Sequence, residues 1–205
     1  METRIGFGWD SHAFKAGVPL RIGGMSLDHP EGLAGHSDGD VLLHAITDAL
    51  LGAVAAGDIG SFFPPGDARW KNADSSIFLK VALEELDHAG FRVVNVDTTL
   101  VLAAPKIGPI AGEMRARVAE LIGIELNQVS IKAKTPEGLN LDHVAQCHAI
   151  VLVERVTDSD DLKSMSAVIE SQKQLEDVVD DLLASVHGVP KKRAEPPVYD
   201  TEDIT

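Results

Sequence analysis

Apolar residues recur at the three- and four-residue spacing of an amphipathic helix in three stretches of the chain. We therefore predict helices over residues 37–56, 75–89 and 109–122. A glycine follows each stretch directly, as is common beyond a helix C-terminus. Either Ser37 or Asp38 can cap the first helix, since both side chains accept hydrogen bonds from free backbone N–H groups.

Shorter runs rich in apolar and β-branched residues separate these stretches. They predict strands over residues 4–8, 19–23, within 91–104, 129–134 and 148–156. Strands that alternate with helices indicate a sheet covered by helices on at least one face. We expect an α+β fold, a two-layer sandwich in which helices cover one face of a mixed β-sheet.

The composition changes after Val156. Residues 157–205 carry 12 acidic and 5 basic side chains, a net charge of −7, which is half of the −14 of the whole chain. We predict one catalytic domain over residues 1–156 and an acidic C-terminal extension over 157–205. A heptad stripe from Met165 to Val186 predicts a helix over about 160–186, followed by a disordered tail. The stripe favours self-association, docking on the catalytic domain or, less readily, a separate partner.

The charge and the single cysteine limit the classes of partner and compartment. A net charge of −14 argues against binding to nucleic acid or anionic membranes. No apolar run approaches the roughly 20 residues of a membrane span, and we expect no targeting peptide. Cys147, the one cysteine, cannot form an internal disulfide, and its apolar neighbours indicate a buried structural thiol. A cytoplasmic location is expected.

Two histidines and three aspartates form the first candidate site. Asp10 and His12 stand two apart in an extended segment, so that their side chains point the same way and offer half of a zinc site. Taken alone, Asp10 and His12 are better explained as a surface Asp–His pair. His44 follows the Gly-His-Ser-Asp-Gly-Asp block 35–40, with Asp40 and Asp48 one turn away on either side. One of these carboxylates is expected to hold the far imidazole nitrogen of His44.

Three loops add candidate contacts for a phosphorylated ligand. The loop after the first helix includes Asp58, Ile59, Gly60 and Phe63, and it can equally be a plain connector. Lys106 follows one strand. The segment 132–138, with two lysines, a hydroxyl and a carboxylate, ends another. From the residues alone we infer metal-assisted chemistry on a phosphorylated small molecule.

Several ordered motifs resemble the 2-C-methyl-D-erythritol 2,4-cyclodiphosphate synthase family. The resemblance covers residues 3–156. It is carried by the segments 4–12, 35–52, 57–60, 73–75, 95–97 and 104–106, of which Gly35-His36-Ser37-Asp38-Gly39-Asp40 with its following helix is the most specific. The segment 138–143 departs from the Gly-Phe-Thr-Gly-Arg run that is frequent in the family.

The resemblance implies a homotrimer with sheets packed around its axis and active sites between neighbouring chains. It implies metal-dependent cyclisation of 4-diphosphocytidyl-2-C-methyl-D-erythritol 2-phosphate to 2-C-methyl-D-erythritol 2,4-cyclodiphosphate, with release of CMP, in the non-mevalonate isoprenoid pathway. The implied zinc ligands are Asp10, His12 and His44, and Glu137 is the implied ligand of a second ion, Mg²⁺ or Mn²⁺.

The resemblance also assigns roles to the remaining candidates. His36 and Thr135 stand at positions that stabilise the transition state. The implied substrate contacts are Ser37, Asp58 and Gly60 on the erythritol phosphate, Lys106, Lys134, Thr135 and Glu137 on the cytidine diphosphate, and in addition Asp10, His12, His36, Ile59 and Phe63.

Two other classes of function remain open at this point. A zinc phosphohydrolase that activates water would use the same ligands on a nucleotide. A trimeric scaffold with a vestigial site is the non-enzyme alternative, and the presence of all three ligand types argues against it.

Overall fold

The computed structural model describes residues 2–157, so the predicted 160–186 helix and the tail lie outside the described residues. The strands of this part of the chain are β1 (Thr3–Ala16), β2 (Leu20–Ile22), β3 (Met25–Leu27), β4 (Glu31–Leu33), β5 (Phe91–Val101), β6 (Val129–Lys134) and β7 (Val144–Arg155). Its α-helices are α1 (Val41–Ala53), α2 (Ile59–Phe62), α3 (Ser75–His88) and α4 (Ala111–Ile122).

Five of the strands form one mixed sheet, in the order β4-β1-β7-β5-β6. β5 and β6 run parallel, while the other neighbours in this sheet are antiparallel. Strands β2 and β3 form a separate two-stranded hairpin. The predicted mixed sheet is therefore confirmed, and the long pairing of β1 with β7 places Asp10 opposite Cys147.

Helices cover one face of the sheet, as predicted. Helix α1 packs on β1 and β7, α3 packs on α1 and β5, and α4 packs on β6. On the other face, β1 and β7 expose four large apolar side chains: Ile5 at 71%, Phe7 at 61%, Trp9 at 48% and Ile150 at 48%. No helix of residues 2–157 is long and apolar enough to cross a membrane.

Two glycines of β1 bring helix α1 down onto the strand. A Cβ atom on Gly6 would lie 1.7 Å from the carbonyl oxygen of Ala49, and one on Gly8 would lie 2.0 Å from that of Ala45. Both distances are far below contact, so any side chain here would push the helix away from the sheet. The close approach fixes the α1 backbone over the strand that carries Asp10.

The start of α1 differs from the prediction. Neither Ser37 nor Asp38 caps it; the N-cap is Asp40, whose carboxylate accepts hydrogen bonds from the backbone N–H groups of Leu42 and Leu43. The same carboxylate also accepts the N–H groups of residues 23 and 24, and it is fully buried. Burial raises the pKa of Asp40, whereas the hydrogen bonds from backbone N–H groups lower it. A local sequence pattern cannot identify a capping residue that also binds backbone N–H groups of a distant loop.

The strands next to the site are longer than predicted. The 4–8 segment is part of a strand that continues to Ala16, and the 148–156 segment is part of one that begins at Val144. Polar residues such as Asp10 and His12 interrupt the hydrophobic alternation from which a strand is predicted. Both residues nevertheless lie in the part of β1, Thr3 to Ala13, that pairs with β7. The predicted helix 109–122 begins as a short 3-10 turn and becomes α-helical at Ala111.

Candidate active site

Asp10, His12 and His44 meet in one cluster, as the sequence predicts. Asp10 and His12 come from the same face of β1, and His44 comes from the second turn of α1. The Oδ2 atom of Asp10 lies 2.8 Å from Nε2 of His12 and 3.0 Å from Nδ1 of His44. The two imidazole nitrogens are themselves 3.0 Å apart.

These three atoms form a nearly equilateral triangle that fits one face of a metal coordination sphere. Ligands at roughly 2.0–2.1 Å from a tetrahedral zinc ion lie about 3.3 Å apart, slightly farther than the atoms here. Burial raises the pKa of Asp10, but hydrogen bonds from His12 and His44 outweigh it and hold this pKa well below its usual range. Asp10 is therefore ionised, as a metal ligand must be. Two imidazoles and one carboxylate are a donor set that suits zinc.

The outer imidazole nitrogens are held by the protein. Nδ1 of His12 donates to the carbonyl oxygen of Ala34 at 2.7 Å, so that Nε2 faces the cluster and would offer its lone pair to a bound metal. Nε2 of His44 lies 2.8 Å from Oγ of Ser75 and 3.1 Å from Oγ of Ser37. These contacts orient Nδ1 of His44 toward the other two ligands.

The prediction that Asp40 or Asp48 holds the far nitrogen of His44 is wrong. The Asp40 carboxylate faces the backbone N–H groups at the start of α1. Asp48 accepts a hydrogen bond from the backbone N–H of Ile59 at 2.8 Å and so fixes the loop after α1. Helical spacing places both residues on the correct side of the helix, but their oxygens are used by backbone donors.

The cluster opens into a cleft of about 240 Å³. Its lining includes the predicted metal ligand His44 and seven of the predicted substrate contacts: Asp10, His12, His36, Ser37, Ile59, Gly60 and Phe63. The predicted contact Asp58 caps α2, where its carboxylate accepts the backbone N–H of Ser61 at 2.8 Å, next to Ile59 and Gly60. Nε2 of His36 donates to the carbonyl oxygen of Asp67 at 3.0 Å, which ties the histidine to the far side of the cleft.

Sequence reasoning found Phe63 but missed the rest of the aromatic wall of this cleft. Phe63 packs on Phe78 with ring centroids 4.3 Å apart and on Trp70 at 5.0 Å, and the ring of His44 faces Phe78 at 6.0 Å. Phe78 belongs to the apolar stripe of α3, and Trp70 belongs to a 3-10 turn for which the sequence analysis made no prediction. Ser75 was also missed, although Ala73-Asp74-Ser75 is one of the motifs that carry the family resemblance.

Three of the four predicted contacts for the cytidine diphosphate line a second cleft of about 310 Å³. Lys106, Lys134 and Thr135 line it, together with the apolar residues Leu102, Pro105 and Ile107 among others. Thr135 Oγ1 donates a hydrogen bond to the Glu137 carboxylate. Among residues 2–157, one group of three side chains is placed to hold a metal ion, namely Asp10, His12 and His44. Glu137 is not part of this group.

A single chain does not bring the two clefts together. In the sheet register Ser11 lies opposite Gln146, Gln146 opposite Val101, and Val101 opposite Lys134. Three strand spacings separate Ser11 from Lys134, or about 14 Å. The predicted site residues therefore form two half-sites, the metal half-site next to Asp10 and the lysine half-site next to Lys134.

Cys147 is a buried thiol, as predicted. It is 0% exposed, and burial raises its pKa far above its usual value. A protonated thiol between the sheet and α1 is inert, so the cleft chemistry has no cysteine nucleophile to use.

Comparisons with known proteins agree with the geometry. The sequence model of the YgbB family matches residues 3–154. The chain is 62% identical over 152 residues to the 2-C-methyl-D-erythritol 2,4-cyclodiphosphate synthase of Koribacter versatilis, which covers 74% of this chain and 98% of the relative.

Solved structures show the same fold. A CDP-bound structure of 2C-methyl-D-erythritol-2,4-cyclodiphosphate synthase aligns with a TM-score of 0.70 and 37% identity over 74% of this chain and 100% of that one. A CDP complex of IspF from Plasmodium falciparum aligns with a TM-score of 0.67 and 30% identity over 76% and 97% of the two chains. The chain therefore belongs to the YgbB family, together with these 2-C-methyl-D-erythritol 2,4-cyclodiphosphate synthases.

Proposed function

We infer that the chain cyclises 4-diphosphocytidyl-2-C-methyl-D-erythritol 2-phosphate to 2-C-methyl-D-erythritol 2,4-cyclodiphosphate and releases CMP. The observation that carries this function is the cluster of Asp10, His12 and His44, open to a cleft, in a chain 62% identical to a synthase of that name. An oxygen of the substrate 2-phosphate bonds to the β-phosphorus. The bond from that phosphorus to the bridging oxygen breaks, and CMP leaves with this oxygen.

Both reacting groups are anions, so the barrier consists largely of charge repulsion and positioning. We propose that Asp10, His12 and His44 hold a zinc ion. A zinc ion held by these three side chains would supply positive charge and polarise a phosphate oxygen. In the same cleft Ser37 offers an O–H to a phosphate oxygen, with His36 beside it in the lining, and the backbone N–H of Gly60 adds a further donor.

The lysine half-site suits the cytidine diphosphate part of the substrate. Lys106 and Lys134 bring two cations to an apolar cleft, and Thr135 adds a hydroxyl donor. CDP in the two solved relatives supports a nucleotide ligand of this kind. We propose that Glu137 binds a second cation, Mg²⁺ or Mn²⁺, which prefers oxygen ligands and substrate phosphates.

One substrate must meet both half-sites, although about 14 Å separates their backbones in one chain. We propose a homotrimer in which the metal half-site of one chain faces the lysine half-site of its neighbour. The exposed apolar face of Ile5, Phe7, Trp9 and Ile150 supports this, because an uncovered apolar patch on a sheet marks a surface for association. The ring of His148 lies between Phe7 and Trp9, at 6.2 and 6.5 Å, and continues the patch across β7.

Mixed trimers test whether the site is shared. A His44→Ala chain lacks a metal ligand, and a Thr135→Ala chain lacks a hydroxyl of the other half-site. We expect each homotrimer to be impaired and co-assembled trimers to regain CMP release, because some interfaces then combine two intact half-sites.

The control is a mixture in which both variants carry their change in the same half-site, His44→Ala with His12→Ala. Every interface then lacks a ligand, and no activity should return. Trimers shown to be mixed by mass spectrometry but inactive in the first pairing would exclude a site shared between chains.

A further inference from the structure

The hydroxyl of Ser75 links a metal ligand to a carboxylate. Ser75 is the first residue of α3 and is 0% exposed. Its Oγ lies 2.8 Å from Nε2 of His44, and it donates a hydrogen bond to Oδ1 of Asp38. Asp38 is thereby connected to His44 through the hydroxyl of Ser75.

Two backbone hydrogen bonds fix this arrangement. The N–H of Ser75 donates to Oδ2 of Asp38 at 3.1 Å, so that both oxygens of the carboxylate face Ser75. The N–H of Asp38 donates to the carbonyl oxygen of Ala73 at 3.0 Å. The loop before α1 and the start of α3 are therefore joined at the point where Ser75 meets His44.

The direction of each proton follows from the role of the ring. When Nδ1 of His44 faces the metal, the ring proton is on Nε2 and is donated to Ser75. The serine hydroxyl then has one proton to give, which goes to Asp38. A carboxylate at the end of such a chain increases the electron density on the imidazole and restricts its rotation.

We propose that Ser75 and Asp38 are positioning residues for the metal ligand His44. They fix its tautomer and orientation and so raise the affinity of the cluster for zinc. The inference rests on the metal site of the proposed function. It also assigns separate tasks to two neighbouring hydroxyls. The shorter contact of Ser75 holds the ring, while Ser37, at 3.1 Å, remains available to the substrate.

Ser75→Ala tests the proposal, since it removes the hydroxyl and leaves the backbone N–H that Asp38 also accepts. The matched control is Ser76→Ala. Ser76 is the next residue of the same helix turn, and its side chain bonds to Asp74 instead of to the cluster. Zinc affinity is measured on the full chain by competition with a chromophoric chelator. The visible absorption of the cobalt-substituted protein reports the ligand geometry, and a thermal melt reports the fold.

We expect Ser75→Ala to weaken zinc binding about tenfold to 100-fold and to shift the cobalt spectrum, the usual effect of losing a partner behind a metal-bound histidine. Ser76→Ala should leave the zinc affinity and the spectrum unchanged. Asp38→Asn, which keeps the shape but removes the charge, should weaken binding in the same direction.

Wild-type affinity and spectrum in Ser75→Ala would overturn the proposal and leave the metal site intact. So would equal losses in the Ser75 and Ser76 variants, since the effect would then be one of helix stability. A wild-type chain that binds neither zinc nor cobalt would overturn the metal site itself and the proposal with it.

Discussion

Replacing His44 by alanine is expected to remove the bound metal and nearly all CMP release. His44 supplies one of only three ligand atoms in the cluster, and its loss leaves Asp10 and His12 as a two-ligand site. Charge stabilisation by such an ion is worth several kcal/mol, and each 1.4 kcal/mol is a factor of about ten in rate. We therefore expect turnover to fall by about 10³-fold or more, together with the zinc content measured by elemental analysis.

A histidine outside the cluster serves as the control for this variant. His88 is exposed at the end of α3, so His88→Ala should retain both zinc and turnover. The assignment of His44 would be wrong if His44→Ala kept full zinc and full activity.

Glu137→Gln is expected to impair the site of the proposed second cation and to leave the zinc site intact. The Glu137 carboxylate lies beside Thr135 in the lysine half-site and not in the Asp10 cluster. Glutamine keeps the size of the side chain but binds a divalent cation more weakly, since it lacks the charge. We expect the zinc content to stay at the wild-type value while CMP release falls by about 10²-fold, and added Mg²⁺ or Mn²⁺ to restore part of it.

Asp142→Asn is the matched control, because Asp142 is an exposed carboxylate in the same loop. It should change neither zinc nor turnover. Loss of zinc from Glu137→Gln, or wild-type turnover in that variant, would contradict the assignment of separate cations to the two half-sites.

Local signals in the sequence account for most of the fold. Helix α3 and strand β6 were predicted almost to the residue, because an apolar stripe and a following glycine mark the helix and a short branched run marks the strand. The site strand β1 was predicted at less than half its length. A strand whose outer half carries ligands lacks the hydrophobic alternation on which a prediction depends.

The cluster of Asp10, His12 and His44 could be predicted because these residues lie in specific motifs. The residues that hold the ring of His44 could not be predicted. Asp40 and Asp48 were assigned to His44 by helical spacing, whereas the structure gives this place to Ser75, 31 residues farther along the chain. Tertiary contacts of this kind leave no periodicity in the sequence. The division into two half-sites is likewise invisible until the sheet order places β1 and β6 three strands apart.

The acidic extension stays a prediction. Residues 158–205 lie beyond the part of the chain that the structure describes, and every proposed ligand precedes Val156. We propose that the extension is dispensable for the chemistry.

The most direct test of the proposed function is to follow the reaction of the pure protein in heavy-oxygen water, with the cytidyl substrate, zinc and magnesium. In cyclisation the attacking oxygen comes from the substrate 2-phosphate, so mass spectrometry should find CMP and the cyclic diphosphate, neither with a solvent oxygen. A phosphohydrolase would transfer one solvent oxygen to a linear product. Labelled linear phosphate, or no CMP from the metal-loaded protein, would contradict the account.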